Sequence, residues 1–456
     1  MKKAATSLLF PLLLFLGCTP QKQQEQVDLP QIKSKGEITA VTLYSSTSYF
    51  QYKAEPMGYE YDLIRDFAES QGLKLNIKVA ENSIRLVEML QNGEADVVAY
   101  PIQIENKLKE KALYCGLERQ STQVIVQRAD RGDTILTDVT QLIGKEIYVK
   151  GHTKQYDRLL NLNVELGGGL LIKDIEKDTV TTEDLIEMVS KGEIPYTVSD
   201  DDIARLNKTY YWNINVDLQI SFFQRSSWIV RKSSPELAKA INAWASDQTH
   251  RKRSDTASKR YFEMSKRALE YSTPEIRNGK ISAYDSSFRK HAHSLGWKWQ
   301  LLASIAYQES HFNPQATSWA GAQGIMGIMP RTARALGASP GDLNEADASI
   351  RLGVECLRRF RNGFKNVTHP EEKIKFTLAS YNAGIGHIYD AQQLARKYGR
   401  NPYLWEDVSE YVRLKNDPVY YNDPVCKHGY LRGSETVSYV KEVMARFRYY
   451  RKQVPH

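Results

Sequence analysis

The sequence predicts a multidomain chain, an α/β unit followed by an all-α unit, and three observations carry that expectation. From Glu37 to Phe262 short β-prone runs alternate with helical ones, the pattern of a mostly parallel sheet with helices on both faces. From Ala283 onward the segments are helical, and no β-prone stretch of convincing length appears. Between them "SKRALEYSTPEIRNGKIS" (265–282) follows neither pattern. At 456 residues the chain has room for two or three domains.

In the first unit, "EITAVTLY" (37–44) alternates like a strand. "YEYDLIRDFAESQG" (59–72) places Leu63, Ile64, Phe67 and Ala68 at three- and four-residue spacing and ends on Gly72, so it is helical. "KLNIKV", "SIRLVEMLQNG" and "ADVVAY" continue as strand, helix and strand. In the second unit, "SFRKHAHSLG", "WKWQLLASIAYQES", "TARALG", "ASIRLGVECLRRFRNGF", "KIKFTLASYNAG", "IYDAQQLARKYG" and "ETVSYVKEVMARFRYYRK" are each helical in period.

The first residues read as an address. "MKKAATSLLFPLLLFLGC" has two lysines, then an apolar run too short to span a bilayer. Its "LFLGC" resembles a bacterial lipobox, which makes 1–18 a lipoprotein signal peptide and Cys18 the lipidated residue. Thr19 follows in place of the aspartate associated with inner-membrane retention, so the expected location is the outer membrane, facing the periplasm. Residues 19–36 are Gln- and Lys-rich and read as a flexible tether.

The net charge of +8 admits nucleic acid, an anionic membrane or an anionic polymer as partner. No zinc knuckle, RNP-type aromatic motif or helix-turn-helix signature is present, so nucleic acid is not expected. "RKRSDTASKR" (251–260) reads as a solvated helix face. No Cys/His group has metal-ligand spacing. An oxidising compartment and a shared domain favour a Cys356–Cys426 disulfide, with Cys115 free.

Glu309 is the residue that carries chemistry. It follows Ile305 by four and Leu302 by seven, so it continues the apolar stripe of its helix. A carboxyl on that face loses hydration, its pKa should rise, and it can then hold a proton for a leaving oxygen. On the helix alone, a structural glutamate paired with a base fits as well.

Two resemblances extend this reading. "MGYEYDLIRDFAESQGLKLNIKV", "LVEMLQNGEADVVAY", "LIGKEIYVKGHTKQYDRL", "DLIEMVSKGEIPYTVSDDDIA" and "WIVRKSSPELAKAINAWAS" resemble, in order and spacing, extracellular solute-binding domains of family 3. That implies two α/β lobes over 37–262 around a ligand cleft, with lobe one spanning about 37–130 and 231–262. The arginine usual after "ADVVAY" is missing; Lys107, Lys109 or Lys111 stands nearby instead. Asp200 matches the cleft aspartate of that family or caps a turn. After a linker at 263–280, residues 281–456 carry E-S, then "SWAGAQGIM", then "SYNAG", then "ETVSYV". Those motifs resemble the lysozyme-like lytic transglycosylases of the SLT type.

That resemblance implies a lysozyme-like fold and roles position by position. Glu309 is the single catalytic acid/base. Ser310 holds the loop behind it, Ser318 faces the sugar, and Gln323 and Met326 lie in the cleft loop. Tyr381 orients Glu309, Asn382 fixes the same turn, and Tyr439 closes the cleft. One departure stands out: the usual M-Q-L-M-P reads "MGIMP", with Gly327 in place of a glutamine. The implied reaction cleaves the bond between N-acetylmuramic acid and N-acetylglucosamine in peptidoglycan, forms a 1,6-anhydro end, and requires no metal or cofactor. Stem peptides or amino acids are the implied ligands of the first domain. The alternatives are a water-using muramidase and a non-catalytic wall sensor.

Overall fold

The computed structural model of the chain describes residues 27–175, 180–264, 266, 276 and 279–454. The signal peptide, Cys18 and most of the linker lie outside those residues.

The first domain has two five-stranded sheets. One runs Lys74–Ala80, Glu37–Leu43, Val97–Gln103, Gln224–Arg231, Ala112–Ser121 across its width. Its first three strands are parallel, and Gln224–Arg231 pairs antiparallel with both neighbours. The other runs Ile214–Asn215, Gln123–Arg128, Tyr196–Asp200, Glu146–Val149, Leu171–Asp174. Five successive residues of Glu37–Leu43, Ile38 to Thr42, are buried. A strand covered by helices on both faces has no wet side, so the expected alternation is absent.

The chain crosses between the sheets at Thr122 and again near Ser221, where the Thr122 hydroxyl donates to the Ser221 carbonyl at 2.8 Å. Lobe one therefore ends at about 121 rather than 130, because Gln123–Arg128 belongs to the second sheet. The tether is also shorter than its composition indicates. Leu29–Lys35 is a helix with an Asp28 capping box and Gly36 in the left-handed C-cap. It buries Ile32 against lobe one, and Asp28 also accepts from the Glu236 and Leu237 amides at the start of Pro235–Ser246.

The second domain is helical, and its core is one cluster around Trp299–Ser310. Ten of that helix's twelve residues are buried. It packs along Gly433–Gln453, and Arg446 and Glu442 both hydrogen-bond Gln308 across that contact, at 2.8 Å each. Trp405–Leu414 and Pro418–Tyr421 are further helices beyond those expected, the first burying Trp405, Val408, Tyr411 and Val412 at three- and four-residue spacing.

The cysteines correct the expected disulfide: Cys115, Cys356 and Cys426 are all free thiols. Cys356 is buried beside Tyr381, whereas Cys426 stands beside Lys415 and Asp390. Sharing a domain did not bring the two together.

Candidate active site

Glu309 ends the central helix, one residue before Ser310 and the left-handed His311 and Phe312 that turn the chain away. Its side chain is only 9% exposed. The Tyr439 hydroxyl donates to one carboxylate oxygen at 2.8 Å. The Lys53 ammonium donates to the other at 3.0 Å. Both carboxylate oxygens are therefore occupied, one by a hydroxyl of the same domain and the other by an ammonium.

Lys53 comes from the other domain. Phe50–Tyr52 and Glu55–Met57 pair as an antiparallel hairpin whose two-residue turn is Lys53–Ala54. Both turn residues have positive φ, 48° and 64°, as a type I′ turn demands and as side chains other than Gly or Asn rarely accept. The hairpin tip enters the helical domain. The Tyr52 ring lies 5.4 Å from that of Trp319, Glu55 pairs with Arg331 at 3.4 Å, and the Lys53 ammonium also donates to the Gly327 carbonyl. The Lys53 side chain is 8% exposed. In this arrangement a lysine of the binding domain occupies the space in front of Glu309.

Gly327, which stands where the motif usually has a glutamine, lies against Glu309. It has φ 59°, and a Cβ there would stand 2.2 Å from a Glu309 carboxylate oxygen and 3.0 Å from its Cβ. Only glycine leaves Glu309 where it is.

The other matched residues divide into walls and fastenings. The Ser310 hydroxyl donates to the Ile325 carbonyl at 2.8 Å, tying the helix end to the following loop. The Ser318 hydroxyl accepts from the Ala322 amide at 3.0 Å, so it closes its own turn. Gln323 makes a backbone bridge to Ile328 in that loop. Met326 is fully buried and packs on Gly353; its side chain belongs to the core, not to a cleft wall. The Tyr381 hydroxyl donates to the Met326 carbonyl at 2.7 Å, and its ring faces the Lys53 ammonium at 5.4 Å. The residue whose hydroxyl holds Glu309 is thus Tyr439, not Tyr381. Asn382 accepts from the Thr436 hydroxyl at 2.7 Å, joining two helices.

A second carboxylate, Glu435, escapes a reading centred on one acid. It lines a small cavity of about 40 Å³ with Tyr52, Asn382 and Arg432. Burial pushes its pKa up, Arg432 and Lys53 oppose that, and Glu309 adds to it. The signal was present as the first letter of "ETVSYV".

The two domains meet along a broad seam around 416–432. The Arg432 guanidinium pairs with Glu183 at 3.1 Å, donates to Asn207 at 2.9 Å and lies 3.8 Å from the centre of the Tyr210 ring. Tyr430 and Ser46 also bond Glu183. Asn416 reaches Asp184 at 3.0 Å, Asp417 reaches Lys150 at 3.8 Å, and the Tyr421 hydroxyl donates to the Tyr44 carbonyl at 3.3 Å. One segment of the helical domain therefore touches both lobes of the other. Behind it, the buried Lys415 pairs with Asp390, which also accepts from the backbone amides of Lys427 and His428. In the binding domain Asp200 is ion-paired with Lys154 at 2.7 Å and makes no cap bond; Lys107, Lys109 and Lys111 are exposed. Within the basic run, Arg260 is not merely solvated, since it donates to the Trp319 and Ala320 carbonyls.

Fold and site together define a solute-binding module joined to a helical domain whose central helix carries Glu309 in its last turn. Residues 38–264 match the bacterial extracellular solute-binding proteins, family 3, and residues 286–404 match the transglycosylase SLT domain. Membrane-bound lytic murein transglycosylase F of Desulfosudis oleivorans is 31% identical over 91% of this chain and 90% of its own length. The protein of that name from Stutzerimonas stutzeri is 30% identical over 96% and 88%. The second substrate-binding domain of Lactococcus lactis GlnP, in an open conformation, is similar at 20% identity and a TM-score of 0.43, over 50% of this chain and 96% of that one. The chain belongs to the membrane-bound lytic murein transglycosylase F family.

Proposed function

We propose that this protein is a peptidoglycan lytic transglycosylase whose helical domain cleaves the β-1,4 bond between N-acetylmuramic acid and N-acetylglucosamine, with Glu309 as acid and then base. The supporting observation is a single buried carboxyl at the end of the central helix, oriented by the Tyr439 hydroxyl, within a family of that activity. Protonated Glu309 gives its proton to the glycosidic oxygen as the C1–O bond breaks. The ionised carboxylate then takes the proton of the muramoyl C6 hydroxyl as that oxygen bonds to C1. The product is a 1,6-anhydro end and no water is consumed. The nucleophile is tethered to the reacting sugar, which favours it over free water. Ser318, Gln323 and Asn382 help to shape the groove. Glu309→Gln keeps the shape but has no proton to donate, so digestion of purified sacculi should cease while sacculus binding persists. Mass analysis of wild-type products decides between readings: an end heavier by one water would make the protein a muramidase.

The binding domain is, in this reading, a restraint that a small amino-acid or peptide ligand releases. Lys53 must leave Glu309 before a sugar can approach, and the hairpin that carries it moves with lobe one. The enzyme is held to the outer membrane, facing the periplasm, by a lipid on Cys18. Cys18→Ser should appear in the soluble fraction after lysis; retention with membranes would remove the lipid anchor from the account.

A further inference from the structure

We propose a second saccharide-binding site on the binding domain, behind the crossover between its lobes and separate from the catalytic groove. A cavity of about 690 Å³ opens there, within the usual range of small-ligand sites. Trp212 and Phe223 line it and are 58% and 57% exposed. Phe262, buried, forms its floor, with the Arg205 guanidinium 5.7 Å from the ring centre. Lys208 and Asp217 stand in the same wall. Next to Phe223, Phe222 is 91% exposed. Nothing in the catalytic reading uses these rings, and clustered exposed aromatic surface on a soluble domain marks a binding face.

The chemistry of the wall selects the occupant. A pyranose has an apolar C–H face that lies flat on an aromatic ring and an edge of hydroxyl and amide groups that needs donors and acceptors. Trp212 and Phe223 supply the first, and Arg205, Lys208 and Asp217 the second. A protein partner fits less well, because buried interface centres are depleted in Lys and Asp. An anionic bilayer is repelled by carboxylates among the rings. The ligand class is therefore an N-acetylated β-1,4 amino-sugar chain. The site is open while Lys53 covers Glu309, so the protein can rest on the wall with its catalytic site shut.

The test uses the full chain carrying Glu309→Gln in detergent, so that nothing is cleaved. Binding to purified sacculi is measured by co-sedimentation, with chitotetraose as soluble competitor, before and after Trp212→Ala with Phe223→Ala. Both side chains are exposed, so an unchanged melting temperature is expected and is checked. Apparent affinity should fall about tenfold, the equivalent of losing the burial of one aromatic ring, and Trp212→Phe alone should retain most of it. Undiminished sacculus binding by the double variant overturns the proposal. So does a loss seen only on phosphatidylglycerol vesicles, or only in oligomeric state, since those would assign the face to a membrane or to a second copy.

Discussion

Glu309 receives a hydroxyl on one oxygen and an ammonium on the other, and the two contacts serve opposite ends. The tyrosine belongs to the same domain and remains when substrate enters. The lysine belongs to the other domain, and under the restraint proposed above it withdraws. Lys53→Met keeps the aliphatic stem and removes the charge. Loss of one member of a buried ion pair costs about 3–5 kcal/mol, here charged only to the closed arrangement. Sacculus cleavage by the otherwise unaltered protein should rise roughly tenfold or more, as each 1.4 kcal/mol is a factor of ten. An unchanged rate would mean the hairpin imposes no restraint. Glu309 itself was legible from "IAYQES", since its place on an apolar stripe is a matter of spacing alone. Its partner was not, because the two lie 256 residues apart and neither segment carries a mark of the other. The swap of roles between Tyr381 and Tyr439 was equally hidden: both are buried tyrosines near the acid, and only geometry separates their hydroxyls.

At the scale of elements, the strand and helix alternation of the first domain and the helices of the second were readable from periodicity, whereas the hairpin Phe50–Met57 was not. Its turn reads Lys-Ala, without the Asn-Gly or Asp-Gly that announces a two-residue hairpin, and its strands are three residues each. Leu29–Lys35 was missed for a related reason, since one buried isoleucine in a polar stretch makes no period. The hairpin's unsuitable turn residues are themselves informative. Left-handed backbone costs a residue with Cβ about 1–2 kcal/mol, and such costs cluster where structures switch. Ala54→Gly removes one of them. The closed arrangement should gain up to about 1 kcal/mol, read as a higher melting temperature and a lower basal rate. A lower melting temperature would show that the turn is not under strain.

At the scale of the whole molecule the two domains meet along a seam that the Asp390 cluster backs from within the helical domain. Burial opposes ionisation of Asp390, but His428, Lys415 and backbone amides together hold its carboxyl well below the usual carboxylate range; Asp347, bonded by Ser287, Lys290 and His291, is held low as well. For groups depressed in the folded state, the stabilisation is present above the unfolded value, about pH 4, and is lost as pH falls below it. Resistance to thermal unfolding should therefore weaken with acid from pH 4 downward. In Asp390→Ala, which leaves Lys415 buried with no carboxylate, stability at pH 7 should fall by about 3–5 kcal/mol and the acid dependence should flatten. A variant as stable as the parent would show that Lys415 finds another partner. The hairpin also has an order in time. Residues 50–57 precede 281–456 in the chain, so on export to the periplasm proposed above they arrive first, and domains generally fold N-terminal first. If Lys53 restrains Glu309 as proposed, the restraint is then in place before the domain it acts on has folded, and no newly exported copy passes through a stage in which a folded helical domain lacks its lysine.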